Sequence, residues 1–153
     1  MADMTLAQSI FDDLCAWLDS KDQDYKKIED GLYVIFTIYG EDIPMDFVMQ
    51  VDAERQLIRL RSRLPLRIAE DKRMDLAIAC CAATYNIMNG SFDFDITEGR
   101  IRFRMTTCFR DSRIGTELLE YMILCSFKTI DDYNDKFLGL AKGMININDF
   151  TGK

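Results

Sequence analysis

The chain is expected to fold as an α+β protein, a two-layer α/β sandwich with helices on one face of an antiparallel sheet. Three observations carry that expectation. Five segments alternate apolar with polar residues and are joined by tight hairpin turns, which makes the sheet antiparallel. Three longer segments space their apolar residues three and four apart, as one stripe of a helix does. The alternation also leaves one side of each strand polar, so helices cover one sheet face and water meets the other. In chain order the elements read α-β-β-β-α-β-β-α.

The first helix spans residues 5 to 20, with Leu6, Ile10, Phe11, Leu14, Trp17 and Leu18 on one stripe and Thr5 as its N-cap. "SKDQDYKKIEDG" reads as a polar connection ending in a turn. The first strand, "LYVIFTIY", ends at Gly40, and "GED" turns the chain tightly. The second, "IPMDFVMQV", sets Ile43, Met45, Phe47, Met49 and Val51 against Asp46, Val48 and Gln50. After a turn at Ala53-Glu54, "QLIRLRSRL" carries Ile58, Leu60, Ser62 and Leu64 on one face and Leu57, Arg59, Arg61 and Arg63 on the other.

Pro65 is read as the end of that strand and the entry to a helix over roughly residues 67 to 88. Its expected buried stripe is Met74, Ala77, Ile78, Cys81, Tyr85 and Met88, and Asn89-Gly90 stops it. A hairpin follows, with Phe92, Phe94, Ile96, Ile101, Phe103 and Met105 on one side. On the other side lie Asp93, Asp95, Arg100, Arg102 and Arg104. A two-residue turn at Glu98-Gly99 pairs Asp95 with Arg102 and Asp93 with Arg104, so that opposite charges set the register. Residues 112 to 144 are helical in two stripes whose phase shifts near Ser126 to Thr129, where a kink or break is expected. The remainder, from about residue 145, reads as a tail.

At 153 residues a single domain over residues 1–153 is the expectation. A net charge of −7 argues against affinity for a nucleic-acid backbone. The start "MADMTLAQ" lacks a basic n-region, and the longest apolar run, "LAIACCAA", is far shorter than the ~20 residues of a membrane span. Cys15, Cys80, Cys81, Cys108 and Cys125 are odd in number and contain no CxxC pair, which fits reduced thiols. A cytoplasmic protein is expected.

The catalytic vocabulary is thin. With no His in the chain, Ser-His-Asp and Cys-His arrangements and the usual neutral-pH base are ruled out. Neither GxGxxG nor GxxxxGK[ST] occurs, so no phosphate-cradling loop is expected. Cys108 is the cysteine nearest a helix start, and a buried or half-buried thiol is its plainer reading. Asp131-Asp132 and Glu70-Asp71 fall near helix starts, where negative charge is favoured without any chemistry. No enzyme, cofactor or metal is expected. The open face instead offers Tyr33, Ile35, Val48 and Leu57 as an apolar patch rimmed by Arg59 and Tyr39. Exposed apolar patches of this kind mark interaction sites; coverage by the N-terminal segment or the tail, or scattered surface residues, are the competing readings.

The element order, the "SRLP" exit from the third strand, and the pattern N-x-x-N-G-x-F-x-F-D (Asn86, Asn89, Gly90, Phe92, Phe94, Asp95) together resemble the YbjN-like bacterial proteins. Their fold is similar to that of type III secretion chaperones, and the resemblance runs from about residue 5 to 143. It implies a five-stranded antiparallel sheet of order 1-2-3-5-4, a non-catalytic protein and often a homodimer. Secretion chaperones hold extended client segments on such surfaces, and YbjN-like proteins are described as regulators of sensory transduction with no agreed ligand. The implied strand order lays Arg100, Arg102 and Arg104 beside Arg59, Arg61 and Arg63, a basic ridge on an acidic protein. The leading expectation is a chaperone-like or regulatory module that binds a protein partner on this face. The alternative is a sensory regulator binding a small anionic ligand on its arginines.

Overall fold

The computed structural model describes residues 3–152. Met1, Ala2 and Lys153, at the ends of the start and tail segments read above, lie outside the described residues. The chain runs α1 (Met4–Ser20), β1 (Tyr25–Ile28), β2 (Tyr33–Tyr39), β3 (Pro44–Asp52), β4 (Leu57–Arg67), a 3₁₀ turn (Glu70–Lys72) and α2 (Arg73–Asn86). It continues through β5 (Ser91–Asp95), β6 (Arg100–Cys108), α3 (Thr116–Ala141) and α4 (Ile147–Thr151). All strand pairs are antiparallel, and the sheet order is β1-β2-β3-β4-β6-β5.

The sheet therefore has six strands where five were expected. The additional strand is β1, drawn from the segment read as a polar connection, and it pairs Tyr25 with Phe36 and Lys27 with Val34. Without it the expected order stands: β2, β3, β4, β6 and β5 are neighbours in that sequence. Four residues containing two lysines give no alternation to read. Main-chain pairing holds the strand, and the Lys27 ammonium lies 5.5 Å from the Phe11 ring centre while pairing with Glu29 at 2.7 Å.

Each of the three predicted hairpins has a four-residue connection where a tighter turn was expected. The closing pairs are Tyr39 with Pro44, Asp52 with Leu57, and Asp95 with Arg100. Partners therefore slide by two residues: Ile35 faces Val48, Met49 faces Leu60, and Asp93 faces Arg102. A slip of one residue would have turned every side chain over, whereas a slip of two keeps each on its face. Met45, Phe47, Met49, Val51, Ile58, Leu60, Leu64, Ile101, Phe103 and Met105 are accordingly buried as expected, whereas Ile96, expected on the same face, lies in the four-residue connection beyond β5 and is exposed.

Strand β4 does not stop at Pro65. It continues to Arg67, with a register shift between Arg63 and Arg67 where the proline interrupts the ladder. Helix α2 starts later and ends earlier than expected, and it is turned over. Leu76, Ala79, Cys80 and Ala83 face the core. Of the predicted stripe, Met74, Ile78, Cys81, Tyr85 and Met88 point to solvent, with Tyr85 89% exposed, and Ala77 is half-buried. Both sides of this helix are apolar, and small residues decide which goes inward. They let the helix approach β5 until the Thr84 hydroxyl accepts from Phe92 N (2.9 Å) and donates to Phe92 O (3.3 Å).

Helix α3 is continuous, with no break at residues 126–129. Its buried stripe runs unbroken through Leu119, Met122, Ile123, Ser126, Ile130, Asn134, Phe137 and Leu140. Its two polar members, Ser126 and Asn134, made the phase look shifted. The Ser126 hydroxyl donates to Met122 O at 2.6 Å, and the Asn134 amide donates to Asp131 O at 3.3 Å, so both find partners within the helix. The first cap also differs: Asp3, not Thr5, accepts from Leu6 N at 3.0 Å. The expected tail folds as α4, capped reciprocally by Asn146 and Asp149, and lays Phe150 on Phe137 with ring centres 5.4 Å apart.

Candidate functional site

The outward residues of the sheet form rows that cross the strands. One row is Ile35, Val48, Arg61, Arg104 and Ser91. Beside it, Arg63, Arg102 and Asp93 form a second, and Arg67, Arg100 and Asp95 a third. On the other flank Tyr33, Gln50, Arg59 and Thr106 are aligned. The ridge is therefore real: Arg61 faces Arg104, Arg63 faces Arg102, and Arg67 faces Arg100. Like charges directly opposite one another destabilise a ladder by roughly 0.2–1 kcal/mol each.

Few carboxylates answer them. Asp93 takes Arg102 at 2.8 Å and Arg104 at 2.9 Å, and Ser91 donates to its other oxygen at 3.0 Å. Burial alone would push the Asp93 carboxyl up, but hydrogen bonds from Arg102, Arg104 and Ser91 outweigh it and hold it below the usual carboxylate range. Asp95 does not reach Arg102 as expected; one of its oxygens caps the turn, accepting from Thr97 N (2.9 Å) and Glu98 N (3.2 Å). Asp46 accepts from the Thr37 hydroxyl at 2.6 Å. Asp52, buried at the far end of β3, draws Arg55 at 3.2 Å and Arg59 at 3.6 Å. Among the described residues, Arg61, Arg63, Arg67 and Arg100 make no ion pair.

Three of these unanswered guanidinium groups, Arg61, Arg63 and Arg100, line an open depression of about 600 Å³, with Asp46 and Val48 on one wall, Arg61 and Arg63 along the middle, and Arg100 and the Asp93-paired Arg102 opposite. Pro65 also lines it, because the irregularity it introduces into β4 breaks the flat ladder there.

The apolar patch is smaller than expected and differently composed. Ile35, 37% exposed, and Val48 touch as a cross-strand pair, and half-buried Tyr33 lies one row away. Leu57 is elsewhere, at the end of β4 between Asp52 and Cys108, with the Gln50–Arg59 row intervening. Two members were missed. Ile28 sits across from Tyr33 but belongs to the unread β1. Arg67 continues the every-second-residue arginine pattern of β4, a signal hidden by treating Pro65 as a stop. Among the described residues, no three His, Cys, Asp or Glu side chains converge as a metal site. No helix among them is long and apolar enough to cross a membrane.

No protein-family model matches the chain, and no curated protein sequence does so either. Among solved structures it is similar to the crystal structure of YbjN from E. coli, described as a proposed transcription regulator, with a TM-score of 0.60 over 82% of this chain and 91% of that one. The two sequences are 12% identical, so the likeness is one of fold. This chain carries a YbjN-like fold.

Proposed function

We propose that this protein is a non-catalytic regulatory module of the cytoplasm, a single domain that binds a protein partner on the outer face of its sheet. One observation carries the reading: Arg61, Arg63 and Arg100, three arginines without carboxylate partners, line a depression beside the Ile35–Val48 pair, on a chain whose net charge is −7. A general excess of positive charge does not explain the ridge. The similarity to YbjN, itself described as a proposed regulator, is in keeping with this.

The test is capture from an extract of the native organism, comparing the wild-type chain with an Arg61→Glu, Arg63→Glu variant. Proteins retained by the first and lost by the second support the reading, and retention indifferent to both arginines refutes it. A small-anion sensor is the second reading, favoured by the concave arrangement of Arg63, Arg100 and Arg102. It expects a rise in melting temperature with an anionic metabolite, abolished in Arg61→Ala, Arg102→Ala.

The module is proposed to work as a homodimer, and the outer face of α2 supplies its contact. Met74, Ile78 and Tyr85 are 64%, 49% and 89% exposed on a face without charge, opposite the buried stripe. Sedimentation should give twice the chain mass, falling to the monomer in Ile78→Asp. A monomeric wild-type protein would remove this element and leave the sheet face standing.

A further inference from the structure

We infer that the partner segment is extended and carries an aliphatic side chain followed at alternate positions by carboxylates, lying across the strands with the aliphatic group on Ile35–Val48 and the first carboxylate on Arg61 and Arg63. This deepens the reading of the outer face as a protein-binding surface and rests on it.

The spacing comes from the sheet. Neighbouring strands lie about 4.8 Å apart, so the point midway between Ile35 on β2 and Val48 on β3 is roughly 7 Å from Arg61 on β4. In an extended segment, side chains on the same side recur about every 6.7 Å. An apolar residue seated on the Ile35–Val48 pair thus puts the residue two positions on above Arg61, with Arg63 flanking it. The residue four positions on reaches Arg102 and Arg104, where it shares with Asp93 two guanidinium groups that one carboxylate now serves. Residues at the intervening positions face water. Their charge gains little from the ridge.

Three features make an acidic segment the occupant. The unanswered charges are all guanidinium, whose planar fork matches a carboxylate in two parallel hydrogen bonds. The depression is open and continuous with the apolar pair, so it suits a strand-like ligand better than an enclosed small molecule. The chain's own C-terminal helix cannot be that occupant as it stands, because Phe150 of α4 is held in the helix layer against Phe137 and Tyr133, on the opposite side of the sheet.

The experiment uses two fluorescent peptides of the same composition and charge on the full chain. One has the order Ile-x-Glu-x-Glu and the other Ile-Glu-x-Glu-x, with Ser at x. Anisotropy should show the alternating peptide binding at least about tenfold more tightly, a difference of about 1.4 kcal/mol, and its affinity should fall as salt rises. Ile35→Ser, and separately Arg61→Glu with Arg63→Glu, should each erase the preference while leaving the melting temperature within a degree or so, since all three are surface positions. Equal affinity for the two peptides overturns the inference. So does binding of inorganic tripolyphosphate with neither peptide bound, which would favour the small-anion sensor. The two levels separate cleanly: capture from extract that depends on Arg61 and Arg63, with the peptides bound alike, keeps the binding face and removes the alternation. Capture indifferent to those arginines removes both.

Discussion

On the inner side of β4, Ile58, Leu60 and Leu64 are sealed from water, and the Ser62 hydroxyl is the one buried side-chain polar atom without a partner among the described residues. On the outer side of the same strand, Arg61, Arg63 and Arg67 stand against three more arginines, and none of the three has a carboxylate. The two kinds of unmet group are not equivalent. A buried hydroxyl without a partner costs about 1–3 kcal/mol because water cannot reach it. A guanidinium on an open face keeps its hydration and costs little until something displaces that water. The inner face is finished, with one small defect, and the outer face is solvated but uncommitted.

Four variants probe that contrast, from the largest effect downward. Phe103→Ala removes a fully buried ring that packs edge-on against Phe92 at 5.2 Å, and should lower unfolding free energy by about 3–5 kcal/mol in denaturant melts. A loss below about 1 kcal/mol would mean the inner face is not tightly packed. Asp93→Asn, which frees Arg102 and Arg104, should cost about 1 kcal/mol at neutral pH. The Asp93 carboxyl titrates below its unfolded value, so its contribution is complete above the unfolded pKa of about 4 and is lost as pH falls through the lower folded value. The gap between wild type and Asp93→Asn should therefore hold from pH 8 to 5 and close below about 4; a gap that closes near neutrality contradicts the assignment.

Ser62→Ala removes the unmet hydroxyl at nearly unchanged volume. It should be neutral or stabilise by up to about 1 kcal/mol, and a clear loss would reveal a partner for that oxygen. Arg61→Ala with Arg63→Ala should change stability by no more than about 0.5 kcal/mol, in whichever direction relief of like-charge crowding takes it. Marked destabilisation there would show that the ridge is structural and leave it less free to bind.

The same contrast explains what could be read from residues alone. Strand faces were legible because alternation is a local property, carried by runs such as Ile58, Leu60, Ser62, Leu64 against Arg59, Arg61, Arg63. Register was not, because turn length is fixed by backbone geometry that the turn residues only bias: Gln56 takes a left-handed conformation (φ 57°) within a four-residue connection. The slip of two preserved the faces and the arginine ridge but moved Arg102 from Asp95 to Asp93, which also holds the expected Arg104, and left Asp95 to the turn. Helix α2 was read inside out because its apolar residues ring the helix and only packing distance selects a side. In α3, Ser126 and Asn134 interrupted a stripe that tertiary burial carries straight through. Leu57 was assigned to the patch by parity alone, which says which face a residue is on and nothing about how far along it lies.

The hydroxyl of Thr84 has a consequence for the protein in a crowded solution. By occupying the N–H and C=O that Phe92 turns away from β6, it takes from β5 the pair of groups on which a further strand would begin to zip. At the opposite margin β1 offers four residues, two of them lysines. A sheet stoppered at one rim and guarded by positive charge at the other resists stacking end to end into fibres. Thr84→Val, which keeps the shape and deletes the oxygen, therefore unplugs a terminus whose strand carries Phe92 and Phe94, and seeded polymerisation is where that change would first be visible.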